Sequence, residues 1–238
     1  MKPKLYHELS EWYPLLTPVE DYREEAGYFL EAIAEFSSIR GGTLLELGSG
    51  AGHNAFYLKK NFRLTLTDLS EEMLALSRKL NPECEHVAGD MRELRLHRLF
   101  DVVFIHDAIT YLLTREDLKK VFATAAVHCR PGGVIVVAPD YVKENYSPVT
   151  EHGGTDGDGR SMRYLEWDSG PDADGTYLVD FVLVLRRGND LPEIVHDRHR
   201  WGLFSEAEWL AQLEAAGFAP LAVNSTFGTR VFLGRKQG

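Results

Sequence analysis

Three features of the chain predict an α/β fold: a mostly parallel seven-stranded sheet with helices on both faces, plus an antiparallel flap inserted after the fifth strand. First, the apolar run Leu44 to Leu47 breaks into the glycine-rich turn Gly48-Ser49-Gly50-Ala51-Gly52, and a lone acid, Asp68, closes the next apolar run. Second, strand-length apolar runs alternate with stretches of helical periodicity up to Asp140, a pattern that demands a parallel sheet with right-handed crossovers. Third, the alternation gives way after Asp140 to long runs rich in β-branched and aromatic residues with hairpin-length connections, which read as antiparallel strands.

The elements follow in order. An arm carrying Tyr6, Trp12 and Tyr13 comes first. From Tyr22 onward, Ala26, Phe29, Leu30, Ile33 and Ala34 recur at helical spacing, predicting an amphipathic helix stopped by Gly41-Gly42. Strands are expected at 43–47, 63–67, 85–88, 101–105 and 134–138. A helix over 115–129 carries the apolar stripe Leu118, Val121, Phe122, Ala125 and Cys129 behind a Thr114 cap. Residues 151–175 are rich in Gly and Asp, and strands are expected at 161–167, 177–187 and 193–200. Ser205-Glu-Ala-Glu forms a capping box for a helix ending at Gly217, and strands at 219–225 and 230–234 close the sheet. The expected division is a core of 1–140 and 205–238, with its N-terminal arm, and a flap of 141–204 over a second substrate. In open α/β sheets the ligand lies over the carboxyl ends of the strands.

The glycines can take positive φ and present amides with no Cβ in the way. Glu46, just ahead of the turn, could accept hydrogen bonds from a ligand's ammonium or hydroxyl groups. Asp68 stands where such sheets hold ribose hydroxyls, so an adenosine-containing cofactor is expected. His53 argues against a nicotinamide dinucleotide, because that fingerprint needs Gly or Ala there for close helix-strand packing.

The turn with its acid two residues ahead, then TDLSEEML around Asp68, Gly89-Asp90-Met91, FDVVFIHD from Phe100 and RPGGVIVVAPD from Arg130, resembles in order the motifs of the class I S-adenosylmethionine-dependent methyltransferases of small-molecule type. The resemblance covers residues 20 to 140 well and the C-terminal third more loosely. YHELSEWY followed by EDY is similar to the arm of nucleotide-linked aminosugar N,N-dimethyltransferases, although the flap departs from theirs. The resemblance implies a Rossmann-like core and S-adenosyl-L-methionine held by Tyr22, Glu46, Gly48, Ser49, Gly50, Gly52, Asp68, Leu69, Asp90, Met91 and His106. It implies methyl transfer to N or O of a small polar metabolite. The alternatives are a non-catalytic sensor of the same cofactor and, less favoured, a nicotinamide-dependent dehydrogenase.

Composition narrows the partners. With 238 residues, 44% hydrophobic and 26% charged, the chain suits one α/β domain with an elaboration. A net charge of -10 without a basic block excludes a nucleic-acid footprint and disfavours anionic lipid. No run approaches the about 20 apolar residues that span a bilayer. Cys84 and Cys129 stand isolated, which fits a reducing cytosol, and MKPKLYHELSEWYP has no signal-peptide apolar stretch, so a cytoplasmic location is expected. The expected partner is a small-molecule methyl acceptor; a homodimer is left open.

In-line transfer from a sulfonium asks the protein to position the nucleophile and exclude water; an oxygen nucleophile needs a base, and an amine must arrive neutral. His106 and Asp107 end the fourth strand, where they would handle a proton and bind the acceptor, or merely pack beside the cofactor and cap the next turn. In the flap, Val195, Asp197, His199 and Trp201 alternate onto one face, with Asp197 tuning His199; a solvated or interfacial strand gives the same alternation. Glu166, Asp197 and His199 are expected to read the acceptor, proton handling falls to His106 or His199, and Tyr13 orients the acceptor. Trp12 is expected to anchor the arm. No metal is expected: His106, His152, His196 and His199 lack ligand spacing, and a calcium loop begun at Asp156 would place Ser161 where glycine is required.

Overall fold

The computed structural model describes residues 3–238; Met1 and Lys2, at the start of the expected core segment, lie outside the described residues. The arm makes single 3₁₀ turns at Lys4–Tyr6 and Ser10–Trp12, the short helix α1 (Tyr13–Leu16) and a turn at Val19–Asp21 before α2 (Tyr22–Ser37). α2 buries Ala26, Phe29 and Ile33 of the predicted stripe together with Ala32, leaves Leu30 and Ala34 partly covered, and ends where Ser38 turns left-handed at φ 64°. Then come β1 (Gly42–Leu47), α3 (His53–Leu58), β2 (Phe62–Asp68), α4 (Glu71–Leu80), β3 (Glu85–Ala88), β4 (Phe100–Ile105), a 3₁₀ turn at Asp107–Tyr111, α5 (Arg115–His128) and β5 (Cys129–Val137). The second sheet takes β6 (Thr150–Gly153), β7 (Asp156–Gly157), β8 (Arg160–Asp168), β9 (Thr176–Arg187) and β10 (Glu193–Gly202); α6 (Glu206–Ala215), β11 (Phe218–Asn224) and β12 (Arg230–Lys236) complete the chain.

The first sheet has the order β11-β12-β5-β4-β1-β2-β3. Its strands from β5 to β3 pair in parallel, while β12 runs antiparallel between β5 and β11. Strand order reverses beside β1, between β1 and β4, which opens a crevice above their carboxyl ends. Two helices start as the residues predict: Thr114 accepts from Asp117 N, and Ser205 and Glu208 make a reciprocal capping box. α5 ends one residue earlier than its stripe implied, because Cys129 pairs with Phe100 and starts β5, whose Pro-Gly-Gly segment is absorbed by a register shift.

One core packs α5 and α6 on one face of this sheet through Val121, Phe122, Trp209 and Phe232; another packs α2 and α3 on the other through Phe29, Leu58 and Phe104. A third joins the arm's Leu5, Trp12 and Leu15 to Met162, Tyr177 and Leu183 of the second sheet, ordered β10-β9-β8-β6. The arm is therefore bound to the flap by its apolar side chains. Trp12 is an anchor, with the Arg187 guanidinium 4.8 Å from its ring centre.

Candidate active site

A cavity of about 530 Å³ opens over the strand ends at the switch point. Gly48, Ser49 and Gly50 follow β1 onto its wall, Asp68 and Leu69 close β2, Asp90 and Met91 follow β3, His106 and Asp107 follow β4, and Asp140 lies past β5. Tyr6, Tyr13 and Tyr22 cover one side, and Glu151, Tyr164, Glu166, Phe181 and Trp201 of the second sheet cover the other.

The glycine turn is sterically specified. Gly48 has φ 77°, and a Cβ there would lie 2.3 Å from Ala108 Cβ and 2.9 Å from Met91 Cε. Asp68 accepts from Gly50 N and from Ser70 N, both at 2.8 Å; burial nonetheless raises its pKa. Glu46 is 3% exposed and its Oε2 has no partner. Burial pushes its carboxyl up to about 8, Asp68 adding to the rise and His106 opposing it. Ser49 Oγ is likewise buried without a partner. Orphaned groups beside a turn too tight for side chains fit the amino-acid end of S-adenosylmethionine, and Asp68 at the end of β2 fits its ribose. Asp90 is gripped by Arg92, with Nη2 to Oδ2 at 2.6 Å, and Arg92 also reaches Asp117.

Gly52 departs from the expected cofactor contact. It is not on the cavity wall: its carbonyl accepts from Asn81 Nδ2 at 2.9 Å, and a Cβ would sit 2.3 Å from Ser77 Oγ, so it lets α4 pack close to the turn. His53, read in the sequence only as an obstacle to a dinucleotide, lines the cavity between the rings of Tyr13 and Tyr22, at centroid distances of 5.4 and 5.0 Å. Burial lowers its pKa to about 4, so the imidazole is neutral.

His106 is clamped by two carboxylates, Nε2 to Glu25 Oε1 at 2.9 Å and Nδ1 to Asp107 Oδ2 at 3.2 Å. Burial alone would lower its pKa, but the hydrogen bond and charge of Glu25, with Asp140 and Glu46, outweigh it and favour the imidazolium. Burial and the Glu25 charge push Asp107 up to about 7, and burial and the charge of Asp107 raise Asp140 well above the usual carboxylate range against the opposing charge of His106. Glu166 rises to about 8 through burial and its neighbours Asp168 and Glu151.

Asp197 and His199 do not reach the cavity, a correction to their reading as acceptor contacts. The expected alternation holds, with Ile194 63% exposed on one face and Asp197 and His199 at 4% and 1% on the other. That inner face meets the arm: Asp197 Oδ2 accepts from Leu5 N at 2.8 Å and bonds His199 Nε2 at 3.0 Å, while His199 Nδ1 stands 2.5 Å from the Tyr111 hydroxyl. Trp201, two residues on, does line the cavity. Reading the sequence missed Tyr6, Glu25, Tyr111 and Asp140 as site residues; Tyr6 carried a signal in the aromatic motif of the arm, and Asp140 as an acid ending the motif that contains the fifth strand. Among the described residues no group of three or more His, Cys, Asp or Glu could hold a metal ion, and no helix is long and apolar enough to cross a membrane.

A parallel sheet whose switch point holds a glycine turn, an unpaired carboxylate and a second acid one strand over defines a nucleoside-cofactor enzyme of the class I methyltransferase type. Residues 44–133 match a family described as a methyltransferase domain. The chain is 31% identical over 201 residues to the dTDP-3-amino-3,4,6-trideoxy-alpha-D-glucopyranose N,N-dimethyltransferase of Streptomyces venezuelae, covering 83% of this chain and 84% of that one. It is 30% identical over 217 residues to the dTDP-3-amino-3,6-dideoxy-alpha-D-glucopyranose N,N-dimethyltransferase of Streptomyces fradiae, covering 89% and 84%. The crystal structure of Streptomyces venezuelae DesVI matches with a TM-score of 0.85 at 26% identity, covering 96% of this chain and 98% of that one. The chain belongs to the S-adenosylmethionine-dependent methyltransferases and is an enzyme of the small-molecule type. The sensor and dehydrogenase alternatives are not favoured.

Proposed function

We propose that the enzyme N-methylates an amino group of a small polar metabolite, of the aminosugar type for which the two relatives are named. The observation that carries this reading is the charge of the acceptor side. Asp107, Asp140, Glu151 and Glu166 face the cavity beside the phenols of Tyr6, Tyr13 and Tyr111, whereas His7, Arg92 and His106 on its wall are each already engaged by a carboxylate. Asp107, Asp140 and Glu166, whose pKa values are raised, gain from an arriving ammonium group and gain nothing comparable from a sugar hydroxyl.

On the cofactor side, Glu46 and Ser49 would take the amino-acid end, Asp68 the ribose hydroxyls, and Leu69, Asp90 and Met91 the adenine, with Gly48 and Gly50 allowing the close approach. When bound, S-adenosylmethionine supplies an electrophilic methyl group on a sulfonium. The chain's own part is to hold the acceptor nitrogen in line and to shut out water under the second sheet. Tyr22 and His106 pack where the two ligands would meet. Tyr13, whose ring faces neutral His53, orients the acceptor. Asp107 and Glu166 offer it carboxylates. His106, doubly paired, serves as a fixed positive charge and is a poor candidate for base.

The test is incubation with methyl-labelled cofactor and three acceptors: dTDP-3-amino-3,6-dideoxyglucose, the free 3-amino sugar and its 3-hydroxy counterpart. Label on nitrogen in either amine is the expected result. Label on the hydroxy compound, with none on the amines, would overturn the reading.

A further inference from the structure

A buried chain of hydrogen bonds runs from the acceptor side of the cavity into the junction of arm and flap. Tyr6, from the arm, and Tyr111, from the turn after β4, both line the cavity, and their hydroxyls are 3.1 Å apart. The Tyr111 hydroxyl lies 2.5 Å from His199 Nδ1, and His199 Nε2 lies 3.0 Å from Asp197 Oδ2. His199 and Asp197 are on β10 and are almost fully buried.

The direction of each proton follows from valence. Against a burial that would raise it, the hydrogen bonds from His199 and the backbone of Leu5 hold the Asp197 carboxyl below its usual range, so it is ionised and only accepts. His199 must then carry its proton on Nε2 and offer Nδ1 as an acceptor. Tyr111 stands in donor geometry toward Tyr6 but has one proton; once that proton goes to His199 Nδ1 across the shorter contact, the Tyr111 oxygen turns acceptor and Tyr6 donates to it. The oxygen of Tyr6 is left with a lone pair beside the acceptor.

We infer that Tyr6, Tyr111, His199 and Asp197 form a proton relay that deprotonates the acceptor amine, with Tyr6 touching the amine and His199 storing the proton. The inference rests on the amine reading above. In the relay step an N–H bond of the acceptor ammonium breaks as its proton passes to the Tyr6 oxygen. The proton of Tyr6 moves to Tyr111, and that of Tyr111 moves to His199 Nδ1, forming a new N–H bond. Both phenols end neutral, and the charge comes to rest as an imidazolium against the Asp197 carboxylate. The freed nitrogen lone pair attacks the methyl carbon while the methyl–sulfur bond breaks and its electron pair stays on sulfur. The product leaves as a methylated ammonium, and the stored proton returns through the same hydroxyls to the solvent that enters.

Surroundings separate the two histidines that the sequence put forward. His106 touches two carboxylates and is favoured in its charged form, so it has no free site for a further proton. The groups packed around His199 are Asp197 on its own strand, Tyr6 from the arm, Tyr111 from the turn, and the apolar rings of Phe181 and Trp201. One carboxylate can balance one imidazolium. Asp197 also holds Leu5 N, so the residue that orients His199 fixes the backbone just ahead of Tyr6.

Tyr111→Phe tests the relay, because it keeps the ring packing and removes the central hydroxyl. With dTDP-3-amino-3,6-dideoxyglucose, kcat at pH 7 should fall ~10²-fold, while the acceptor KM and the affinity for S-adenosylhomocysteine, measured by calorimetry, stay within about 3-fold. The loss should shrink as pH approaches 10, where the amine sheds its proton to solvent. Tyr6→Phe should behave alike. Nitrogen-15 NMR of the histidines in the S-adenosylhomocysteine complex gives a readout without turnover: His199 should be protonated on Nε2 in the wild type, and its Nδ1 signal should move to an unbonded position in Tyr111→Phe. A proton on Nδ1, or a wild-type rate in Tyr111→Phe, would overturn the relay, as would an equal loss at every pH with wild-type amine methylation intact. A wild type that methylates only the hydroxy compound would instead defeat the amine reading.

Discussion

On the cofactor side of the cavity the chain presents backbone amides and one carboxylate per strand end, drawn from short stretches around Glu46 to Gly50, Asp68 to Leu69 and Asp90 to Met91. On the acceptor side it presents side chains gathered from the arm, the turn after β4, the end of β5 and four strands of the second sheet. The first surface is set by the conformation of the turn, and the second by where separate elements happen to meet. Damage to the first should appear as strain and lost cofactor affinity, and damage to the second as altered chemistry or acceptor binding with the fold intact.

The largest effect should come from Gly48→Ala, which forces a Cβ to 2.3 Å from Ala108 Cβ at φ 77°. Backbone strain and overpacking together should cost about 3 kcal/mol or more of stability, read by urea unfolding, and abolish measurable S-adenosylhomocysteine binding. Unaltered stability with full affinity would mean the turn is not the rigid half of the comparison. Asp68→Ala should lower the melting temperature by a few degrees, because Gly50 N and Ser70 N lose their acceptor, and weaken S-adenosylhomocysteine by about 2 to 3 kcal/mol, as expected when charge-assisted hydrogen bonds to a diol are lost. Calorimetry decides, and a change below twofold would remove Asp68 from the cofactor side.

Glu166→Gln should act only on the other side, raising the amine KM by ~5-fold, or about 1 kcal/mol, with cofactor affinity constant. A parallel loss of cofactor affinity would show that the two halves are coupled. The smallest effect concerns pH. Glu46, Glu166 and Asp107 have folded-state pKa values of about 8, 8 and 7, above the ~4 of unfolded carboxyls. The folded protein therefore binds these protons more tightly than the unfolded chain. Its stability from these groups is greatest at low pH and is lost as pH rises from about 4 to 8. The melting temperature without ligand should drop by a few degrees between pH 6 and 8.5, and S-adenosylmethionine, whose ammonium would offset Glu46, should reduce the drop. A melting temperature that rises over that interval would show that other groups dominate.

How much was legible follows the same division. The turn from Gly48, the acid at Asp68, the helix caps at Thr114 and Ser205 and the alternation on β10 are local patterns, and each was readable because its spacing reflects the geometry of one element or one strand-to-helix turn. The flap strands could be read for the same reason. Glu25 gave no sign of reaching His106, 81 positions away, since it looks like any acid on the polar face of α2. Tyr111 stands in no motif that marks it in the sequence. Asp197 and His199 were correctly paired and correctly placed on the inner face, but what that face touches depends on the arm, which folds against it from the far end of the sequence.

The sequence by itself therefore determined the parallel sheet with its switch point, the second sheet after β5, and the adenosine cofactor, because hydrogen-bond periodicity and the steric freedom of glycine act over a few residues. Only the tertiary structure decided that Gly52 serves helix packing, that His53 lies between two tyrosines, and that His199 stands behind Tyr111 instead of in the cavity. These depend on which surfaces bury one another, and a contact such as Leu5 to Asp197, 192 positions apart, is settled by the packing of whole elements and leaves no local pattern in the chain.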